Sequence, residues 1–274
     1  MEFLPPYFIA GTVFLLGLII GSFLDVIACR FHTGKSINGR SRCMSCGNTL
    51  TWYELFPLFS YLVLRGRCKN CNGRIPARLF FIEILTAFLF LYVALHTVSL
   101  LELAFGLVLS SVLLLIVLYD YNHMIIPNEF VYAVAFFAIL FLGSKIHGLE
   151  TMGVIIPFFL SASSAFLFYA GLWFFSKGKW IGFGDAKLAF VLGLFLTPVA
   201  TFAMIVFSFW IGALISLSFL GMQYIVYSGK KHLSFGPQPL TMKSEIPFAP
   251  FMISSFIVVF FGHMEALSLI EHFL

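Results

Sequence analysis

The sequence predicts an all-α integral membrane protein of about eight transmembrane helices, with a zinc-ribbon-like loop between the first two. Three observations carry this expectation. Of 274 residues, 61% are hydrophobic and only 10% charged, with a mean hydropathy of +1.01, a balance that water-soluble domains do not hold. Apolar stretches recur along the whole chain at lengths suited to crossing a bilayer. A single long polar segment, residues 30–78, gathers nine of the sixteen Lys and Arg residues and four of the five cysteines.

Taken in order, the apolar stretches are residues 7–29, 79–96, 100–119, 128–143, 152–175, 186–196, 199–227 and 246–262, the sixth being short. The first reads as a retained span and not as a cleaved signal peptide, because residues 1–6 carry Glu2 and no basic residue and the apolar run continues to residue 28. Gly17 and Gly21 form a GxxxG pair in this span, which points to close helix packing. The expected division is a first transmembrane helix at 1–29, a four-cysteine loop at 30–78 and a seven-helix membrane core at 79–274.

Orientation follows from the positive-inside rule. With residues 30–78 on the cytoplasmic side, eight spans also place Lys177, Lys179, Lys187, Lys230, Lys231 and Lys243 inside, so fifteen of sixteen basic residues are cytoplasmic and only Lys145 falls outside. The net charge of +4 is thereby explained by topology, without a nucleic-acid partner.

Within the loop, Cys43-Met-Ser-Cys46 and Cys68-Lys-Asn-Cys71 are two CxxC pairs with 21 residues between them. That spacing lets two knuckles present four thiolates to one ion, with Zn²⁺ as the expected metal. Gly47-Asn48 and Asn72-Gly73 supply the turn formers. Two disulfides are disfavoured in a reducing cytosol. Four cysteines close the coordination sphere, so the expected role is structural, giving a segment of 49 residues the fold it lacks the core to hold alone. Cys29 stands apart, as a small buried residue.

Carboxylates in or beside hydrocarbon need a reason. The set comprises Asp25, Glu83, Glu102, Asp120, Glu129, Asp185 and Glu245. Asp120 ends the third stretch, where the helix dipole disfavours an anion, so capping does not account for it. Asp185 follows Gly182-Phe183-Gly184 and opens the sixth stretch, where an anion is favoured, while the two glycines permit a close approach of backbone. Lys187, two residues on, serves either as a neighbour of Asp185 or as a topology residue, and His123 either as a partner of Asp120 or as a solvated loop histidine. Two carboxylates sharing a proton can activate water against a peptide carbonyl and protonate the leaving amine. The sequence contains no HExxH, GxSxG or nucleotide-binding glycine loop.

Six blocks in order resemble the bacterial type IV prepilin leader peptidases, membrane aspartic proteases with a GxGD motif. They are Gly21-Ser-Phe-Leu-Asp25, the four-cysteine loop with Arg65-Gly66-Arg67-Cys68 and Ile75-Pro76-Ala77-Arg78, Glu83, Asp120 with Ile126-Pro127-Asn128, Gly182-Phe-Gly-Asp185-Ala-Lys187, and Ile246-Pro-Phe-Ala-Pro250. The resemblance implies that Asp120 and Asp185 are the catalytic pair, with Gly182, Gly184 and Lys187 as supporting motif residues. It further implies cleavage of prepilins or pseudopilins after a glycine, between basic leader and hydrophobic helix, in the bacterial cytoplasmic membrane. Methylation of the new N-terminus with S-adenosylmethionine is implied as well. Asp25 stands where the family usually has Asn, and Ala249 where it usually has Gly. The competing classes are a transporter, which needs carboxylates near mid-span, and a secretion scaffold docking through the zinc loop.

Overall fold

A computed structural model describes residues 6–34, 36, 39–146, 151–228 and 247–262. Lys230, Lys231, Lys243, Glu245 and Ile246 lie outside the described residues. Every described regular element is helical: α1 (Pro6–Arg30), a 3₁₀ turn (Trp52–Leu55), α2 (Phe59–Val63), α3 (Ala77–Leu95), α4 (Leu100–His123), α5 (Asn128–Lys145), α6 (Thr151–Ser176), α7 (Phe183–Gly193), α8 (Pro198–Ser228) and α9 (Ala249–Phe261). Each of the eight apolar stretches coincides with one long or medium helix, and α2 is added within the loop.

Six helices, α1, α3, α4, α5, α6 and α8, are long and apolar enough to cross a membrane. With α7 and α9, which are shorter, the apolar helices number eight among the described residues, in line with the expected count of about eight. At 1.5 Å per residue, the 11 residues of α7 rise only about 17 Å, against a hydrocarbon core of roughly 30 Å. The 13 residues of α9 also fall short.

Two compact units divide the chain, residues 1–122 and 123–274. In the first, α1 packs along α3, and the glycine pair explains how. A Cβ on Gly17 would lie 2.6 Å from the Ala87 Cα, and one on Gly21 would lie 2.6 Å from the Thr86 hydroxyl. Only hydrogen fits at either position, so the two backbones approach closely. Helix α4 opens on a capping box, in which Ser99 Oγ accepts the Glu102 amide while Glu102 Oε2 accepts the Val98 and Ser99 amides at 3.1 and 3.2 Å. This accounts for Glu102 structurally.

In the second unit, α7 lies at the centre, against α5, α6 and α9. Ala186, Leu188, Ala189, Val191, Leu192 and Gly193 are all buried. A Cβ on Gly193 would lie 2.6 Å from the Ala162 Cα of α6. Beyond α7, the Phe195 ring lies 5.5–5.6 Å from those of Phe141 of α5, tilted, and of Phe256 and Phe260 of α9, edge to face. Ser255 Oγ donates to the Met204 carbonyl at 2.6 Å, joining α9 to α8, and Ala249 starts α9 fully buried. A short helix enclosed by its neighbours needs no lipid-facing surface of its own.

Candidate functional site

The two CxxC knuckles repeat one backbone design. The Cys43 amide donates to Asn48 and the Cys68 amide to Gly73, at 2.9 and 2.8 Å; the amides of Gly47 and Asn72 return to the carbonyls of Cys43 and Cys68. Gly47 and Asn72, each four residues past the first cysteine, hold φ of +71° and +54°, the left-handed turn that glycine and asparagine tolerate. Residue 73 is closed to larger side chains, since a Cβ there would lie 2.7 Å from Ser45 Oγ.

This design brings the Sγ atoms of Cys43, Cys46, Cys68 and Cys71 within 4.8 Å of one another. Cys43 and Cys71 Sγ are 3.8 Å apart, far too long for a disulfide. A tetrahedral ion held at about 2.3 Å from each sulfur has an edge of about 3.8 Å, so the set fits a four-thiolate metal site. The thiols themselves point the same way. Amides of Cys46 and Ser45 hold Cys43 down to about 6, with the Ser45 nitrogen 3.4 Å from its sulfur. For Cys71 the Gly73 amide pulls downward, but the neighbouring Cys46, burial and the other sulfurs push the thiol up to about 11. One thiolate forms readily and the last resists joining a crowd of negative charge. A divalent cation removes that resistance.

Asp120 lies in the last turn of α4 and is buried, at 5% exposure. Two residues on, Asn122 Oδ1 accepts a hydrogen bond from Arg78 Nη1. Arg78 Nη2 meets Asp25 Oδ1 of α1 at 2.5 Å, and lies 3.7 Å from the Sγ of Cys29, which is exposed and not buried as expected. One guanidinium at the start of α3 thus ties α1 to the turn that carries Asp120. Asp25, at 6% exposure, is a buried charge with its partner beside it. Glu83 is also buried, and its Oε2 accepts the Leu58 amide at 2.7 Å, fastening the loop before α2 to the flank of α3.

In the second unit, Asp185 occupies the first turn of α7 at 7% exposure, and its Oδ2 accepts the Gly182 amide at 3.1 Å. Gly184 abuts Ile126, whose Cβ would lie 3.3 Å from an added Cβ. Lys187 Nζ donates to Asn128 Oδ1 at 3.1 Å and lies over the Phe183 ring. The Ile126-Pro127-Asn128 block and the Gly182–Lys187 block therefore interlock through backbone proximity and one hydrogen bond. Lys187 is engaged with Asn128, and His123 is exposed at the end of α4. Sequence reasoning missed Arg78 and Asn122 as a linked pair. The signal was Asp25 itself, a carboxylate within an apolar run that requires a cation.

Residues 15–97 match the Bacterial Peptidase A24 N-terminal domain, and residues 107–217 match the Type IV leader peptidase family. A protein of Bacillus subtilis (strain 168) named prepilin leader peptidase/N-methyltransferase is 32% identical over 251 residues, covering 91% of this chain and 93% of its own. This chain belongs to the type IV leader peptidase family. Two further relatives bear the same name. That of Myxococcus xanthus (strain DK1622) is 36% identical over 79% of this chain and 66% of its own length, and that of Dichelobacter nodosus is 27% identical over 90% of each. No solved structure matches. As a leader peptidase family member with six membrane-length helices among its described residues, the protein is a multi-pass membrane enzyme.

Proposed function

We propose that this protein is a membrane aspartic endopeptidase that removes the basic leader from type IV prepilins and pseudopilins at the cytoplasmic face of the bacterial inner membrane, and N-methylates the new terminus. The observation that carries the reading is that Asp120 and Asp185 are each buried at a helix end in a chain of the leader peptidase family.

The two carboxylates take different parts. Asp185 accepts a backbone amide at the N-terminus of α7, where negative charge is favoured, and acts as the base toward the attacking water. Asp120 ends α4, where negative charge is disfavoured, and acts as the acid toward the leaving amine. Water adds to the scissile carbonyl as its proton passes to the base; the C–N bond then breaks as the acid protonates nitrogen. Gly184 lets Ile126 close on the start of α7, and Gly182 lies exposed beside Asp185, where an extended peptide can approach its backbone. An apolar hollow of about 720 Å³ beside Trp180 and Ile181, bounded also by Phe168, Phe209 and Phe248, is suited to an apolar substrate helix.

The four cysteines hold structural Zn²⁺ in this reading, which the 3.8 Å sulfur separation supports. S-adenosylmethionine would supply the methyl group for the transferase step, a reading supported by the N-methyltransferase relatives. Asp25 and Glu83 are engaged by Arg78 and by the Leu58 amide, and no residue is given a role toward that donor.

The test is to incubate the purified protein in detergent with a model prepilin and S-adenosylmethionine and measure product masses. Loss of the leader together with one added methyl group on the new terminus is expected. An uncut precursor, with folded and metal-loaded enzyme, would sink the proposal.

A further inference from the structure

The loop hairpin before α3 carries a site that neither peptide cleavage nor metal binding uses. Helix α2 and the turn preceding it expose large apolar side chains: Trp52 at 74%, Phe59 at 68%, Leu62 at 61% and Val63 at 64%. A segment of a dozen residues surrounded by water does not hold such a face without a partner. Its depth identifies the partner. The Leu58 amide, next to α2, is bonded to Glu83, six residues into a helix that begins at Ala77, or about 9 Å along the axis of a membrane-length span. Aromatic side chains at that level belong to the boundary between headgroups and acyl chains.

Immediately beside this face is a hollow of about 580 Å³ lined by Tyr61, Arg65, Arg67, Arg74, Ile75 and Ala77. The sequence builds it by folding the chain back on itself. Arg65 and Gly66 both take positive φ, the Ile75 amide donates to the Gly66 carbonyl at 2.8 Å, and Arg67 bridges Arg74. The three arginines therefore come to one hairpin, and none of them makes an ion pair among the described residues. Three guanidiniums without a counter-charge repel one another, and their planar forks suit phosphate oxygens.

We propose that this hollow binds the phosphodiester headgroup of an acidic phospholipid, with its acyl chains along Phe59, Leu62 and Val63 and α2 lying in the membrane interface. A free phosphate satisfies the arginines but leaves the apolar face bare, whereas a zwitterionic lipid covers the face but brings its own cation.

The full chain, delipidated in detergent, is titrated with short-chain phosphatidylglycerol, the matching phosphatidylcholine and inorganic phosphate, and bound ligand is counted by native mass spectrometry. Phosphatidylglycerol is expected to bind at least about tenfold more tightly than phosphatidylcholine, with affinity falling as salt rises. Arg65→Gln/Arg67→Gln/Arg74→Gln should lose about tenfold, and Phe59→Ser/Leu62→Ser should weaken lipid without changing phosphate binding. Zinc content reports whether each variant is folded, and Arg65→Gln alone replaces the triple variant if metal is lost. Equal binding of the two lipids, unchanged phosphatidylglycerol affinity in the arginine variant, or displacement of lipid by equimolar inorganic phosphate overturns the proposal.

Discussion

Replacing Arg78 with Gln should destabilise the protein far more than replacing its partner Asp25 with Asn. In the structure Arg78 Nη2 is 2.5 Å from Asp25 Oδ1, with side-chain exposures of 32% and 8% respectively. Removing the cation leaves a carboxylate buried between α1 and α3 with no counter-charge. Breaking a buried pair in this way costs about 3–5 kcal/mol. Partial exposure of Arg78 lowers that, since water screens part of the interaction, so about 2–4 kcal/mol is expected. Removing the anion instead leaves Arg78 bonded to Asn122 and one third in solvent, at a cost of about 0.5–1 kcal/mol. The double variant Asp25→Asn/Arg78→Gln should therefore be more stable than Arg78→Gln alone by about 1–2 kcal/mol, the sign of a coupled pair. Thermal unfolding of all four proteins in one detergent, followed by intrinsic fluorescence at a fixed scan rate, measures the cycle. If Arg78→Gln unfolds no earlier than Asp25→Asn, or if the second substitution gives no rescue, the carboxylate is not held as a buried charge and the reasoning fails.

Asp120→Asn and Asp185→Asn should each abolish leader cleavage while expression and membrane insertion persist; wild-type processing in either variant refutes the acid and base assignment. One zinc per chain is expected by elemental analysis. Chelation should release the ion and open the loop, so that Cys43, Cys46, Cys68 and Cys71 are alkylated far faster than in the metal-loaded protein, and equal alkylation with and without chelator contradicts the site. Gly193→Val should cost about 1–3 kcal/mol, read as an earlier thermal midpoint, because its Cβ meets the Ala162 backbone and not a movable side chain. A single cysteine at Lys179 should be protected from a membrane-impermeant thiol reagent in intact cells while one at Thr97 labels, and the opposite pattern reverses the proposed sidedness.

Much of this architecture was readable from local pattern. Apolar stretches became helices near their expected limits, because a run of hydrophobic residues with few charges leaves the backbone no better way to satisfy its amides. The knuckles were equally readable, since CxxC spacing and its turn residues are contained within six or seven positions. Hydropathy did not separate α7 from the membrane-length helices. Ala186, Leu188 and Val191 are apolar whether they face lipid or the three helices that enclose them. Long-range pairing was also hidden. Asp25 announced the need for a cation, but the choice of Arg78, 53 residues away, depends on the close contact at Gly17 and Gly21 that sets α1 against α3. The Glu83 bond to Leu58 was hidden for the same reason, and the bend at Leu58, with φ of +58°, has no marker in residue type.

The brevity of α7 bears on how the protein is made. Eleven residues partition poorly into a bilayer as an isolated segment, so the insertion machinery has little to recognise when this stretch leaves the ribosome. Its settlement depends on a cradle already assembled from α5 and α6, with Gly193 seated on Ala162. Biogenesis of this half is then a folding event as much as a threading event, and the helix that carries Asp185 arrives after two of the three walls that receive it, with α9 closing over it last.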